Sequence, residues 1–372
     1  MDHKLNEPID NGRLLSLDVM RGLIMILLAG ESCLVYESLN HVAQNTIFSY
    51  LTIQFFHHPW HGLHFWDLVQ PAFMMMAGSA MYLSYHSKLK KGISWSENLK
   101  HILIRSLKLF LLGTGLHCVY ADHLVFELWN VLTQLAFTTV IAYLIINKSF
   151  TFQIAFSIVL LLITEFLYRY IQVPDFSQPF TEFHNFGAYA DTLLMGKINT
   201  DGWVAINIIP TAAHTIWGVL AAKVLMSKNA SQKPISILLM AGVILLVLGF
   251  SLDISNITPI IKRISTSSFT LASGGWVILI LAALYWFCDI KKYNRYAWVF
   301  VSIGMNAIFI YLFFETLGAQ WFNDAVRIFT QGFLGFFNTP KSMMDIVNAF
   351  VVLFLEWYMC FWLYQRKAFI KI

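Results

Sequence analysis

Residues 54–85 read QFFHHPWHGLHFWDLVQPAFMMMAGSAMYLSY, and the fold turns on how this stretch is read. It opens with His57, His58, His61 and His64 among aromatic residues, passes Asp67 and Pro71, and continues as an apolar run long enough to enter a bilayer. About 20 residues of helix cross the roughly 30 Å of hydrocarbon in a bilayer. Imidazoles at the mouth of such a helix are costly to place and change charge near neutral pH, which suits them to proton transfer. The stretch reads as the reactive end of a membrane enzyme, served by the rest of the chain.

The bulk composition agrees. The 372 residues are 58% hydrophobic, 16% aromatic and 12% charged, with a mean hydropathy of +0.62. Soluble domains carry about 25% charged residues, so too little polar surface remains to cover a water-soluble body, and a polytopic membrane protein is indicated. The net charge of +4 matters less here than where the Lys and Arg residues fall. No basic cluster interleaved with aromatics marks a nucleic-acid surface. The opening MDHKLNEPIDNGR lacks the features of a signal peptide, so the first apolar run is expected to stay as a helix. Cys33, Cys118, Cys288 and Cys360 form no metal-ligand or dithiol spacing. Cys33 and Cys118 both fall near outward helix ends, where a disulfide could close.

Working outward, apolar runs fall at 15–36, 65–86, 101–120, 129–147, 151–171, 203–226, 235–253, 268–289, 297–316 and 345–366. The expected fold is an all-α integral membrane protein of about ten transmembrane helices in one domain spanning 1–372. Lys and Arg crowd His86–Lys108, Lys223–Lys233, Lys291–Arg295 and the tail, and are sparse in the alternate loops. The positive-inside rule then puts both termini in the cytoplasm. That leaves 1–12 as a cytoplasmic tail and 37–64 as a histidine-rich outward segment. The loops at 172–202 and 317–344 are also outward and are expected to cap the site.

Ionisable and polar groups within such helices mark sites or pathways. Asp18 and Arg21 share a face of the first helix, either as a local ion pair or with Arg21 free to meet an anion. Glu31 and Ser32 sit near its outer end, where Glu31 could act as a base beside His57. On a helix, His57, His61 and His64 would share a face and zinc would be conceivable, but no carboxylate is near except Asp67, and no metal is expected. His57, next to a Pro-containing turn, is the better candidate for chemistry. In the sixth run, Pro210 and Thr211 are expected to break the helix, with Asn207, Thr211 and His214 facing inward. Gly274 and Gly275 read as a close helix approach. Buried Asn306 needs a hydrogen-bond partner.

These residues match a known family. The chain resembles the transmembrane acyltransferases that include lysosomal heparan-α-glucosaminide N-acetyltransferase and its bacterial relatives. The match runs through RLLSLDVMRG, the histidine followed by WHG, then DLVQP and MAGSAM, the DG after Asn199, TSSFTLASGGW and GMNAIFIYL. The resemblance implies an acetyl-CoA-dependent N-acetyltransferase that takes the acetyl group from the cytoplasmic side and gives it to the amine of a glucosamine or terminal glucosaminide on the far side. His57, three residues before Trp60, takes the place of the family's catalytic histidine. The family's functional asparagine has Ser32 at its place, with Glu31 beside it. The anionic donor is then expected on Arg21, Arg105 and Lys108, with Ser268 or Asn306 available to stabilise an oxyanion. Asp67, His61, Asp191, His214 and Asn306 are the candidate acceptor contacts. Partners are acetyl-CoA, an amino sugar or glycan and the bilayer, with a homodimer allowed by the resemblance. Compact length and short loops favour a bacterial inner membrane with the His57 segment in the periplasm. Two other readings stand beside this one: a secondary transporter of sugars or their fragments, and an O-acyltransferase of envelope polysaccharide or lipid.

Overall fold

A computed structural model describes residues 14–227 and 234–370. The tail 1–12, Arg13, residues 228–233 and Lys371 lie outside the described residues. Among those described, the fold is helical, with one isolated β-bridge between His61 and Ile261.

Helix α1 (Leu15–Ser32) bends by 65° into α2 (Val35–Ala43), and a short α3 (Ser49–Thr52) leads into the histidine loop. The long α4 (Val69–Lys90) and α5 (Trp95–Ala121) follow. Ser94 and Glu97 close a capping box at the start of α5, with the Ser94 backbone N–H donating to Glu97 Oε2 at 2.8 Å. Next come α6 (Val131–Leu144), α7 (Phe150–Tyr170), the loop helix α8 (Phe186–Met195), α9 (Ile208–Leu225) and α10 (Pro234–Ile254). After α11 (Ser267–Tyr285), α12 (Ala297–Gly304) meets α13 (Ala307–Phe313) across a break at Met305–Asn306. The chain ends with α14 (Asn323–Gly335) and α15 (Lys341–Gln365).

Every expected apolar run coincides with helix, but the count of spans differs. Among the described residues, six helices are long and apolar enough to cross a membrane alone, or up to eight if each bent pair forms one span. The 14-residue α6 is too short to be one of them, and α4 is not among them either. Helices enclosed by others need not present a long apolar face to lipid. By contrast α10, with Met240, Val243 and Val247 exposed, and α7, with Leu162 and Phe166 exposed, carry the lipid-facing surface.

The MAGSAM run has a packing role. A Cβ added at Gly78 would lie 1.9 Å from the Thr215 carbonyl oxygen, and one at Gly218 would lie 2.0 Å from that of Met75. Ser79 Oγ donates to the Gly218 carbonyl at 2.8 Å. α4 and α9 therefore cross backbone to backbone, as small residues allow in membranes. Gly275 likewise faces the Gly242 carbonyl across the α10–α11 crossing.

Two local expectations are corrected. α9 is not broken at Pro210, which stands in the first turn, where the missing N–H would have had no helical partner anyway. All four cysteines are free thiols. Cys33 Sγ donates to the Ala29 carbonyl at 2.9 Å, and Cys118 Sγ to that of Val125 at 3.3 Å.

Candidate active site

The histidine loop folds around Asp67, which is fully buried. One carboxylate oxygen, Oδ2, accepts from the His64 backbone N–H at 2.8 Å and the His58 N–H at 3.3 Å. The other, Oδ1, lies 3.0 Å from His57 Nδ1. A buried carboxylate needs such partners to stay charged. The loop is also tied to the segment before α11: the Gly62 N–H donates to the Ile260 carbonyl at 2.9 Å, and His61 Nε2 meets Asp253 Oδ1 at 2.7 Å. This brings Lys262 to His57, with Nζ 2.9 Å from Nδ1 and 3.6 Å from Asp67 Oδ1. The ammonium also lies 5.3 Å from the centre of the Trp203 ring.

Nδ1 has two partners: in the tautomer that donates Nδ1–H to Asp67 the Nε2 lone pair is left as the base and Lys262 balances the carboxylate, whereas in the tautomer in which Nδ1 accepts from the Lys262 ammonium the proton is on Nε2. Burial, reinforced by the Lys262 charge, lowers the His57 pKa to about 4. Burial lowers Lys262 to about 8. At neutral pH the imidazole is therefore an unprotonated base beside a cation.

His57 lines a cavity of about 340 Å³. Trp66, Trp129 and Trp203 supply flat apolar faces in its wall, Glu31, Asp201 and Glu315 supply carboxyl groups, and Gln70, Asn130 and Gln134 supply amides. Tyr120 donates to Glu315 Oε2 at 2.6 Å. A second cavity, of about 660 Å³, is lined by Arg21, Lys88, His101, Arg105 and Lys108. Arg21 also lies 3.6 Å from Asp18, so the expected ion pair coexists with its place on the cavity wall.

The two cavities are stacked between the same helices. Each of α1, α4, α5, α6 and α13 contributes to both. On α1 the lining face runs Arg21, Ile24, Leu28, Glu31, one helical stripe of about 15 Å at 1.5 Å per residue. The result is a pair of stacked cavities, one basic and one holding His57, that meet at Phe73.

The other sequence candidates fall as follows. Arg105 and Lys108 join Arg21 at the basic end, and Glu31 joins His57. Ser32 turns away, its Oγ donating to the Phe314 carbonyl at 3.1 Å. Asp67 stands behind His57, off the cavity wall. Asp191 is buried, accepting from Trp129 Nε1 at 2.7 Å and the Ala205 N–H at 2.9 Å, so it holds a wall tryptophan. His214 is buried between α9 and α11, with Nε2 3.0 Å from the Thr270 carbonyl. Ser268 Oγ donates to the Pro259 carbonyl at 2.7 Å. Asn306 sits at the α12–α13 break, accepting from the Ile370 N–H at 3.0 Å. The histidines do not converge: His61 is on Asp253, His64 Nδ1 is 3.0 Å from the Phe56 carbonyl, and the His58 ring meets the His64 ring edge-on.

Sequence reading missed Lys262, Trp66, Trp129, Trp203, Tyr311 and Glu315. For Lys262 one signal was available: the Lys262–Arg263 pair in one of the alternate loops that carry few basic residues. The family model described as heparan-alpha-glucosaminide N-acetyltransferase, catalytic, matches residues 13–252. No curated protein matches the chain.

Proposed function

Because the chain belongs to the heparan-alpha-glucosaminide N-acetyltransferase catalytic family, we propose that it moves an acetyl group across a membrane, from acetyl-CoA to the amine of an amino sugar. The observation that carries this reading is the stacked pair of cavities, with five basic or titratable nitrogen side chains in one and His57 in the other. The anionic nucleotide of the donor is held by Arg21, Arg105, Lys108 and Lys88. Its slender thioester arm extends along the α1 and α4 faces toward His57. The acceptor enters the 340 Å³ cavity as the neutral amine, where tryptophan faces receive the sugar ring and the carboxyl groups of Glu31 and Glu315 are placed to hydrogen-bond its polar groups.

The amine nitrogen attacks the thioester carbonyl as His57 Nε2 takes its proton. The C–S bond breaks, and the imidazolium passes that proton to the departing thiolate. Asp67 holds the ring in the required tautomer and orientation. The low pKa of His57 keeps the base free at neutral pH and makes its imidazolium a ready donor to sulfur. Basic-end residues on the cytoplasmic face would put the His57 end in the periplasm of a bacterial inner membrane, following the positive-inside distribution.

The test is transfer from labelled acetyl-CoA to glucosamine by the purified protein beside its His57→Ala variant. The variant is expected to lose about a hundredfold or more in rate while still binding acetyl-CoA. Full activity in that variant would remove His57 from the chemistry.

A further inference from the structure

Phe73 is the one residue, among those described, that lines both cavities. It stands on the cavity face of α4. Toward the His57 end that face presents Val69 and Gln70, and toward the basic end it presents Met76, Ala77, Ala80, Met81, Ser84 and Lys88. Phe73 is the one aromatic ring on this stripe, and it stands where the two cavities meet.

The frame around that ring is tied. Gln70 Nε2 donates to Gln134 Oε1, and Gln134 Nε2 donates to Asn207 Oδ1 at 2.9 Å. Thr211 Oγ1 then donates to the Asn207 carbonyl at 2.7 Å. This amide chain joins α4, α6 and the start of α9 one turn from Phe73. The nearby crossing of α4 and α9 is locked by Gly78 and Gly218. Side chains in packed interiors change by discrete rotamer steps while such a frame holds. Passage between the cavities therefore depends on the Phe73 ring.

We propose that Phe73 is a specificity-determining partition: its ring fixes how long an acyl group can reach His57 and keeps water-borne solutes of the histidine end out of the basic end. The acyl-length half of this proposal rests on the acyl-transfer reading; the partition half does not. With the thioester at His57 the slender arm runs beside the ring; an acetyl group needs no further room there, whereas a longer acyl chain has to fold back against the ring or fill the acceptor's cavity. A pocket contact of this kind discriminates by about tenfold or more per methylene.

Two measurements test it. The first compares acetyl-CoA with hexanoyl-CoA as donors for the unsubstituted protein, Phe73→Ala and Phe73→Leu. The hexanoyl-to-acetyl ratio of kcat/KM is expected to rise by about tenfold or more in Phe73→Ala, with Phe73→Leu between; an unchanged ratio in both variants overturns the acyl-length assignment. The second needs no turnover. A polar, membrane-impermeant maleimide is added from the His57 side, and modification at Ala80→Cys is read by mass spectrometry with and without Phe73→Leu or Phe73→Ala. Labelling is expected only when the ring is gone, and equal labelling with Phe73 intact overturns the partition. A protein that transfers no acetyl group but whose labelling follows the ring upholds the partition and sinks the acyl-transfer reading instead.

Discussion

The contact between Lys262 and His57 makes the pH profile of the reaction a direct readout of the site. The ammonium and its burial hold the imidazole near a pKa of 4, so kcat/KM should rise with pH through about that value as the base loses its proton. Lys262→Met removes the positive neighbour and leaves Asp67 facing the ring alone, which favours the imidazolium. The acid limb should then move to higher pH, toward the ordinary histidine value of about 6.5, as measured by the pH dependence of kcat/KM. A limb that stays in place would show that Lys262 does not act on His57. At the other end, Arg105→Ala and Lys108→Ala should each raise the KM for acetyl-CoA by about tenfold, as expected for one charge-assisted phosphate contact, with kcat little changed. His57 was legible in the sequence because its signal is local: a histidine, a proline turn and a tryptophan within a few positions. Lys262 was not, because it lies 205 positions from His57 and only the folded loops bring the two together.

The helices show the same division between local and distant information. Apolar runs of span length located the long helices, since hydropathy over about 20 residues is a property of the run itself, but α8 and α14 lie in segments read as loops. The sequence did not reveal which runs bend, because the breaks at Cys33–Leu34 and Met305–Asn306 carry neither proline nor glycine. Nor did Pro210 break its helix, because a proline's effect depends on its distance from the helix start. Gly274 and Gly275 did announce a close crossing, which Gly275 makes with α10; the α4–α9 crossing at Gly78 and Gly218, which positions the cavity face of α4, went unread. Gly218→Val would drive a side chain into the Met75 carbonyl, where even a Cβ comes within 2.0 Å. Such overpacking costs about 1–3 kcal/mol or more, so the variant should melt at lower temperature in detergent than the unsubstituted protein. An unchanged melting temperature would mean that α4 and α9 do not approach so closely.

For the whole molecule, the arrangement accounts for a reaction whose two substrates meet from opposite directions. Basic groups at one end suit an anionic donor, and carboxyl groups with tryptophans at the other suit a sugar amine. The walls draw on segments as far apart as Arg21, His57, Trp203 and Glu315, which is why sequence patterns identified the chemistry but not the shape of the cavity. The family match carries the acetyltransferase class, and the direction of transfer is what the proposal adds. The most direct test is sidedness in sealed vesicles of known orientation, with labelled acetyl-CoA supplied to one face and glucosamine to the other. Acetylglucosamine should form only when acetyl-CoA is on the face of Arg105 and Lys108 and glucosamine is on the face of His57. Equal product with the two substrates exchanged between faces would contradict separate donor and acceptor ends.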